Sequence, residues 1–361
     1  MSNKEIYNFS AGPTALPTSV MTEMQREFLN FENAKASVVE ISHRSKDFMG
    51  MYNSMQQDLR DLMNIPNNYK ILFTQGGASA QFSMVPINLM CGKKVASYAL
   101  TGHWGEKAIA EAQRYAKVNI ATSSLGNNYT DIANFSKWDI DEKSAYLHYT
   151  TNETIAGLEF DYIPSVDIPL VADMSSNILS KKIDVSKFGI IYAGAQKNIG
   201  ASGLTVVIIR EDLIGAADKK MPKLFDYTTY SNNDSMFNTP NSFAWYSGYK
   251  VFKWLKSNGG IDSIEKINNQ KAALLYAKID NSDFYSNTTN KRYRSRMNVP
   301  FTILDGRLDE LFLQQSFENN LLALKGHKVI GGMRASIYNA MPLIGVQKLV
   351  DFMVEFENKY G

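Results

Sequence analysis

Cysteine is almost absent from this 361-residue chain. Cys91 is the only one, so an internal disulfide and a cysteine-based metal cluster are both excluded. Histidine is nearly as scarce, at four residues, and no H-E-x-x-H arrangement occurs, so no metal site is expected. Neither sign of charge dominates. The 38 Lys and Arg against 36 Asp and Glu leave a net +2, and no long block of like charge appears. Nucleic acid and anionic membrane surfaces are therefore not expected partners. No apolar run is long enough to span a bilayer. The opening MSNKEIYNFSAGP lacks the apolar core of a signal peptide, so cytoplasmic residence is the expectation. Missing too are a G-x-G-x-x-G after a strand and a G-x-x-x-x-G-K-[ST] loop, which removes support for dinucleotide and P-loop sites. There is no repeat of solenoid period and no low-complexity tract.

What is present suits a large globular protein. Hydrophobic residues make up 44% and charged residues 20%, enough for a substantial core in two domains or one large domain with a smaller partner. Short β-type runs alternate with helical patterns: KILFT (70–74) precedes ASAQFSMVPINLM, and KVASYAL (94–100) precedes WGEKAIAEAQRYA. KVNIAT, SAYLHYT, IPLVADMSS, GIIYAG and LTVVIIR supply further strands. This alternation predicts an α/β fold, with a mainly parallel sheet between helices. After about Gly260 the texture becomes α+β. Helical SIEKINNQKAALLYAKI and VQKLVDFMVEFENKY bracket strand-like RMNVPFTIL and MRASIYN, with Gly259-Gly260 as a hinge. The expected division is a large domain over 16–260 and a smaller one formed by 1–15 and 261–361.

Three motifs carry candidate chemistry. In FTQGGASAQF a strand ends at a Gly76-Gly77 turn and small residues open a helix. Free N–H groups at a helix start favour a phosphate or carboxylate, although a βα turn that merely needs glycine gives the same pattern. In VADMSS, Asp173 ends a β-rich run, where open α/β sheets bind ligands; a loop or N-cap aspartate is the plainer reading. Lys197 sits in GIIYAGAQKNIGASGLTVVIIR, among small residues between two strands built for burial. A desolvated lysine loses its proton readily and forms imines with carbonyls. With Asp173 on a pyridinium nitrogen, the Gly76–Ser79 turn on a phosphate and Trp104 on a ring face, the three describe one pyridoxal phosphate site. The histidines divide: His43 precedes Arg44, His327 precedes Lys328, His103 precedes Trp104, and His148 reads as a satisfied strand residue. The two His-basic pairs and Arg334 suggest anion recognition, against ordinary surface charge as the alternative.

With these residues in hand, the chain resembles the phosphoserine aminotransferases, class-V pyridoxal phosphate enzymes of fold type I. The likeness runs over nearly the whole length through NFSAGPTALP, ISHRSKDF, FTQGGASAQF, TGHWGEKA, HYTTNETIAG, VADMSSNILS, IYAGAQKNIGASGLTVVIIRED, SMFNTPNSFAWY, RSRMNVPF and GHKVIGGMRASIYNAMP. The resemblance implies that Lys197 joins the cofactor, Asp173 pairs with its ring nitrogen and Trp104 stacks on the ring. It implies that Thr154 contacts the ring hydroxyl region, and that Ala78, Ser79 and Gln196 serve the phosphate. Asn238 and Thr239 match residues that complete the neighbouring site of a homodimer. His43, Arg44, His327, Lys328 and Arg334 match the substrate-anion positions, Arg334 for the α-carboxylate. Ser79 and Lys328 stand where some members carry arginine, replacing a bidentate fork with a weaker or more flexible donor.

The implied reaction is transamination between L-glutamate and 3-phosphohydroxypyruvate, giving O-phospho-L-serine and 2-oxoglutarate in serine biosynthesis. A second family reaction, on a phosphorylated four-carbon 2-oxo acid leading to pyridoxal phosphate, is expected from resemblance alone. The rival readings are another fold-type I enzyme (an alanine–glyoxylate-type aminotransferase or a cysteine desulfurase), a nucleotide-binding oxidoreductase, and a non-catalytic binding module. Cys91 lies away from the motifs, which counts against the desulfurase, and the missing fingerprint counts against the oxidoreductase.

Overall fold

The computed structural model describes residues 5–218 and 220–361. Its centre is a seven-stranded sheet formed by β1 (Tyr69–Thr74), β2 (Val95–Leu100), β3 (Lys117–Ser123), β4 (Ser144–Thr150), β5 (Leu170–Asp173), β6 (Ile190–Gly194) and β7 (Thr205–Arg210). The strand order is β1-β7-β6-β5-β4-β2-β3. Pairs β6–β5, β5–β4, β4–β2 and β2–β3 are parallel, whereas β7 runs antiparallel to both β1 and β6. The mainly parallel expectation holds, and the one reversal falls on LTVVIIR.

The sequence of β7 explains its interior place, between β1 and β6. β-branched side chains favour a pleated strand, and alternate residues face opposite layers. Val206 and Ile208 join the core on one side with Ile71, Phe73, Ile191 and Ala193. Val207 and Ile209 join the core on the other side with Leu72, Ile190 and Tyr192. Burying each such side chain contributes roughly 1.5–3 kcal/mol, so a charge at Val207, which is fully buried, would break the layer.

Helices cover both faces. α1 (Thr18–Glu27) precedes α2 (Lys46–Met63), whose N-cap Ser45 accepts a hydrogen bond from the Phe48 N–H and whose C-terminus closes on left-handed Asn64. Phe48, Met51, Tyr52, Met55, Leu59 and Leu62 recur at helical spacing and are buried. α3 (Gly77–Leu89) and α4 (His103–Ala112) follow β1 and β2 directly. α5 (Ser242–Ser257) is capped by the Asn241 side chain. It is followed at once by α6 (Gly260–Asp280), with Gly259 and Gly260 at φ of 86° and 65°.

The C-terminal part is α+β. A three-stranded antiparallel sheet of β8 (Tyr285–Ser286), β9 (Asn298–Ile303) and β10 (Met333–Ser336) packs with α6, α7 (Asp309–Glu318) and α8 (Leu343–Tyr360) around a core of its own. Near the chain start, Tyr7–Asn8 pairs in parallel with Leu321–Leu322, and Phe9 is buried in that core. No helix among the described residues is long and apolar enough to cross a membrane.

Candidate active site

The C-terminal ends of the parallel strands, the place where open α/β sheets bind ligands, open onto a cavity of about 290 Å³. Asp173 and Lys197 meet there because they follow adjacent parallel strands. Asp173 ends β5 and pairs with Tyr192 of β6, while Lys197 lies in the turn beyond β6. A parallel pair requires a crossover rather than a tight turn, so 174–189 makes the link between them.

The lysine-bearing turn is pinned from several sides. Thr14 donates its N–H to the Gln196 carbonyl at 3.0 Å and its hydroxyl to the Lys197 carbonyl at 2.9 Å. The Asn198 side chain donates to Ile178 O at 3.0 Å and accepts from the Asn339 N–H at 3.0 Å. The ammonium itself lies 5.6 Å from the Trp104 ring centre. Burial pushes Lys197 down to about 8, opposed by Asp173 and Glu153 and reinforced by Arg334. A sizeable fraction is therefore neutral near physiological pH, which is what a nucleophile or proton carrier requires.

Asp173 is buried, and its Oδ1 accepts from the Ser175 N–H at 2.8 Å. Burial raises its pKa, while Ser175, Lys197 and Tyr192 pull it down. Behind it, Tyr192 shares a 2.8 Å hydrogen bond with His148 Nε2, and His148 stacks on Tyr98 at 4.8 Å. His148 is thus the buried strand histidine that SAYLHYT suggested, although its Nδ1 has no partner.

The turn at Gly76-Gly77 needs glycine. Their φ values of 94° and 66° are left-handed, and a Cβ on Gly76 would stand 2.6 Å from Ala80 Cβ. The same turn opens α3, and Gly77, Ala78 and Ser79 line the cavity. Trp104 lines another wall, with its indole Nε1 donating to Thr154 Oγ1 at 2.9 Å. Arg334 closes a third side and donates to the Thr154 carbonyl at 3.1 Å.

Of the expected residues, Ala78, Ser79, Trp104, Thr154, Asp173, Gln196, Lys197, His327 and Arg334 all line this one cavity. The fold does not bring the others to it. Asn238 and Thr239 are exposed, with the Thr239 carbonyl accepting from Gln75 at 3.1 Å beside the glycine turn. His43 and Arg44 lie in the turn before α2, and Lys328 is exposed one residue beyond His327.

Glu153 escaped the sequence reading. It is fully buried, with Oε2 accepting from the Trp104 N–H at 3.0 Å and Oε1 from the Gly105 N–H at 2.8 Å. In sequence, Thr150 to Thr154 reads only as a polar run closing a strand, and it is the fold that buries every member. Such a run needs internal partners or a ligand. Two of its polar atoms, Thr150 Oγ1 and Asn152 Oδ1, have no partner among the described residues, and both residues line the cavity.

Comparison with known proteins decides the family. The class-V aminotransferase model matches residues 6–349. The chain is 61% identical over 355 residues to the phosphoserine aminotransferase of Vesicomyosocius okutanii subsp. Calyptogena okutanii (strain HA), covering 98% of this chain and 99% of that protein. The chain belongs to the phosphoserine aminotransferase family. Among solved members of the family, the phosphoserine aminotransferase from Bacillus circulans subsp. alkalophilus superposes with a TM-score of 0.97 at 41% identity, covering 99% of this chain and all of the other. The PLP-bound phosphoserine aminotransferase from Trichomonas vaginalis gives 0.93 at 39% identity, covering 97% and 100%. Family membership sets aside the oxidoreductase, binding-module and desulfurase readings. Cys91 is exposed, in a left-handed turn after α3, and does not line the cavity.

Proposed function

We propose that the enzyme transfers an amino group from L-glutamate to 3-phosphohydroxypyruvate, giving O-phospho-L-serine and 2-oxoglutarate, with pyridoxal phosphate as cofactor. The observation that carries this is the meeting of Lys197, Asp173 and Trp104 in one cavity of a chain 61% identical to a phosphoserine aminotransferase. The donors present fit the cofactor. Free backbone N–H groups at the start of α3 suit its phosphate, the Asp173 carboxylate suits a protonated ring nitrogen, and orphaned Thr150 and Asn152 oxygens want polar partners.

Pyridoxal phosphate, when bound, supplies an electron sink that makes the substrate Cα–H acidic. With the cofactor bound, neutral Lys197 would take the proton from the substrate Cα and later return a proton, acting as base and then acid. Asp173 keeps a ring nitrogen protonated. Trp104 holds a planar face in place, with its indole fixed by Thr154. Arg334 meets the substrate α-carboxylate as a planar fork. Family resemblance assigns His43, Arg44, His327 and Lys328 to the distal anion site, of which His327 alone lines the cavity within one protomer; it takes a carboxylate in one half-reaction and a phosphate in the other. The exposure of Asn238 and Thr239 supports a homodimer in which they complete the neighbouring site.

In the same reading the large domain spans 16–260 and the smaller one joins 1–15 to 261–361. The enzyme is cytoplasmic, serves serine biosynthesis, and also accepts the phosphorylated four-carbon 2-oxo acid on the route to pyridoxal phosphate. The test is a spectrum. Cofactor-loaded protein should lose its visible band on adding L-glutamate or O-phosphoserine and regain it with 3-phosphohydroxypyruvate. A band indifferent to all three would overturn the proposal.

A further inference from the structure

One histidine at the cavity's edge has no part in the scheme above. His103 is the first residue of α4, immediately before Trp104. Its Nδ1 lies 3.0 Å from Glu106 Oε2, one helical turn on. The other oxygen of Glu106 accepts from the Tyr129 hydroxyl at 2.5 Å. With both carboxylate oxygens engaged, the imidazole is oriented with Nδ1 towards Glu106, and Nε2 is left for a ligand.

The ring faces His327, with centroids 5.9 Å apart and planes inclined by 50°. His327 lines the cofactor cavity. Burial first, then Arg334, His103, Lys328 and Lys107 in turn, pushes the His327 pKa down. The ammonium of Lys107 stands 4.8 Å from the Trp104 ring centre. The cavity mouth therefore gathers five basic side chains from α4 and from the segment around β10. The carboxylate nearest His103, that of Glu106, is already occupied by Tyr129 and His103. Such a cluster repels itself until an anion enters.

We propose that His103 is a substrate-positioning residue. Oriented by Glu106 and Tyr129, its ring presents Nε2 to the distal phosphate of the substrate and brackets that group opposite His327. This rests on the reading of the site as an aminotransferase for a phosphorylated 2-oxo acid. Phosphate matches the mouth better than the side-chain carboxylate of glutamate does. A phosphate monoester carries about −1.5 to −2 charge and three acceptor oxygens, against one charge and two oxygens on the carboxylate. His103 thus acts as a specificity determinant, favouring the phosphorylated partner over the dicarboxylate.

The experiment compares cofactor-loaded wild type with His103→Ala, His103→Asn and Glu106→Gln. In His103→Ala the KM for O-phosphoserine should rise about tenfold while kcat stays within about twofold, the pattern of lost binding without lost chemistry. The KM for glutamate should rise by no more than about threefold, and the cofactor's visible band should not move. Glu106→Gln should give a smaller rise of the same kind, and adding it to His103→Ala should change little further, because Glu106 acts through His103. Inorganic phosphate, titrated into loaded enzyme by calorimetry, should bind about tenfold more weakly to His103→Ala and His103→Asn. Equal phosphate affinity in wild type and both variants would overturn the proposal, as would equal rises in KM for both substrates. If the wild type fails to turn over O-phosphoserine, it is the functional reading that falls, and the phosphate titration still decides the role of His103.

Discussion

Glu153 holds Trp104 by its backbone: Oε2 accepts the Trp104 N–H at 3.0 Å, and Oε1 takes the next N–H, from Gly105, at 2.8 Å. These are orphan donors at the start of α4, so a buried carboxylate caps the helix that carries the Trp104 indole. Burial nevertheless pushes Glu153 from 4.5 up to about 7; the two N–H groups and Lys197 pull it back, and Asp173 pushes it further. A raised acid binds more protons folded than unfolded between those two values. Stability should therefore fall as pH rises from about 4.5 to 7, by on the order of 3 kcal/mol from this group. Glu153→Gln removes the titration and should flatten that fall in cofactor-free protein. An unchanged slope of melting temperature against pH in the variant would refute the assignment.

Gly102 matters to the same contact through space rather than torsion. Its backbone is extended, but a Cβ there would lie 2.3 Å from Glu153 Cδ and 2.6 Å from Oε2. Gly102→Ala should displace the carboxylate and cost about 2 kcal/mol, as overpacking of a tight site does. Circular dichroism melts measure the loss. Retention of bound cofactor through gel filtration then shows whether Trp104 moved with it.

Much of the frame was legible because short β-type runs, buried almost throughout, stand out between helical patterns. The runs KILFT, SAYLHYT and LTVVIIR all form strands of the central sheet, and SAYLHYT has the exact limits of its strand. The reversal of β7 was not legible, since a strand buried on both faces reads the same in either direction. Nor was the link from Asp173 to Lys197 legible. It is made between adjacent parallel strands, a relation set by sheet order rather than local sequence. Lys197, Asp173 and Trp104 stood out because each is chemically odd in its setting. Glu153 did not, because a glutamate after a strand is usually solvated, and only the closed fold shows that both its oxygens are spent on one helix start. The same holds for His103, whose meaning lies in its distance to His327, 224 positions away in the chain.

His148 has the opposite sign to Glu153. Burial holds it down to about 3, whereas an unfolded histidine titrates near 6.5. The unfolded chain then binds the extra proton between those values, so stability should fall as pH drops from about 6.5 towards 3, by on the order of 4 kcal/mol. His148→Phe keeps a flat ring between Tyr98 and Tyr192 but cannot titrate. It gives up the 2.8 Å bond to the Tyr192 hydroxyl, so it should be less stable near pH 7 by about 1 kcal/mol. At pH 4 the gap to wild type should close or reverse. Parallel stability curves from pH 7 to pH 4, measured by urea titration, would show that His148 carries no such cost.

The indole N–H of Trp104 settles which way the Thr154 hydroxyl points. Thr154 Oγ1 accepts from Nε1 at 2.9 Å, so its own proton is free to be aimed elsewhere, and the residue lines the cavity. Trp104→Phe keeps an aromatic face yet frees the hydroxyl to rotate. Losing one such neutral hydrogen bond should weaken cofactor binding by about 1 kcal/mol, or roughly fivefold. Thr154→Val removes the donor towards the cavity and leaves the indole N–H unpaired as well, so it should weaken binding further, by about 2–3 kcal/mol. Combining the two substitutions should cost less than their sum, because each single change already breaks the same bond. Equilibrium dialysis of pyridoxal phosphate against the four proteins measures this. Strict additivity would mean that Trp104 and Thr154 act on the cofactor independently.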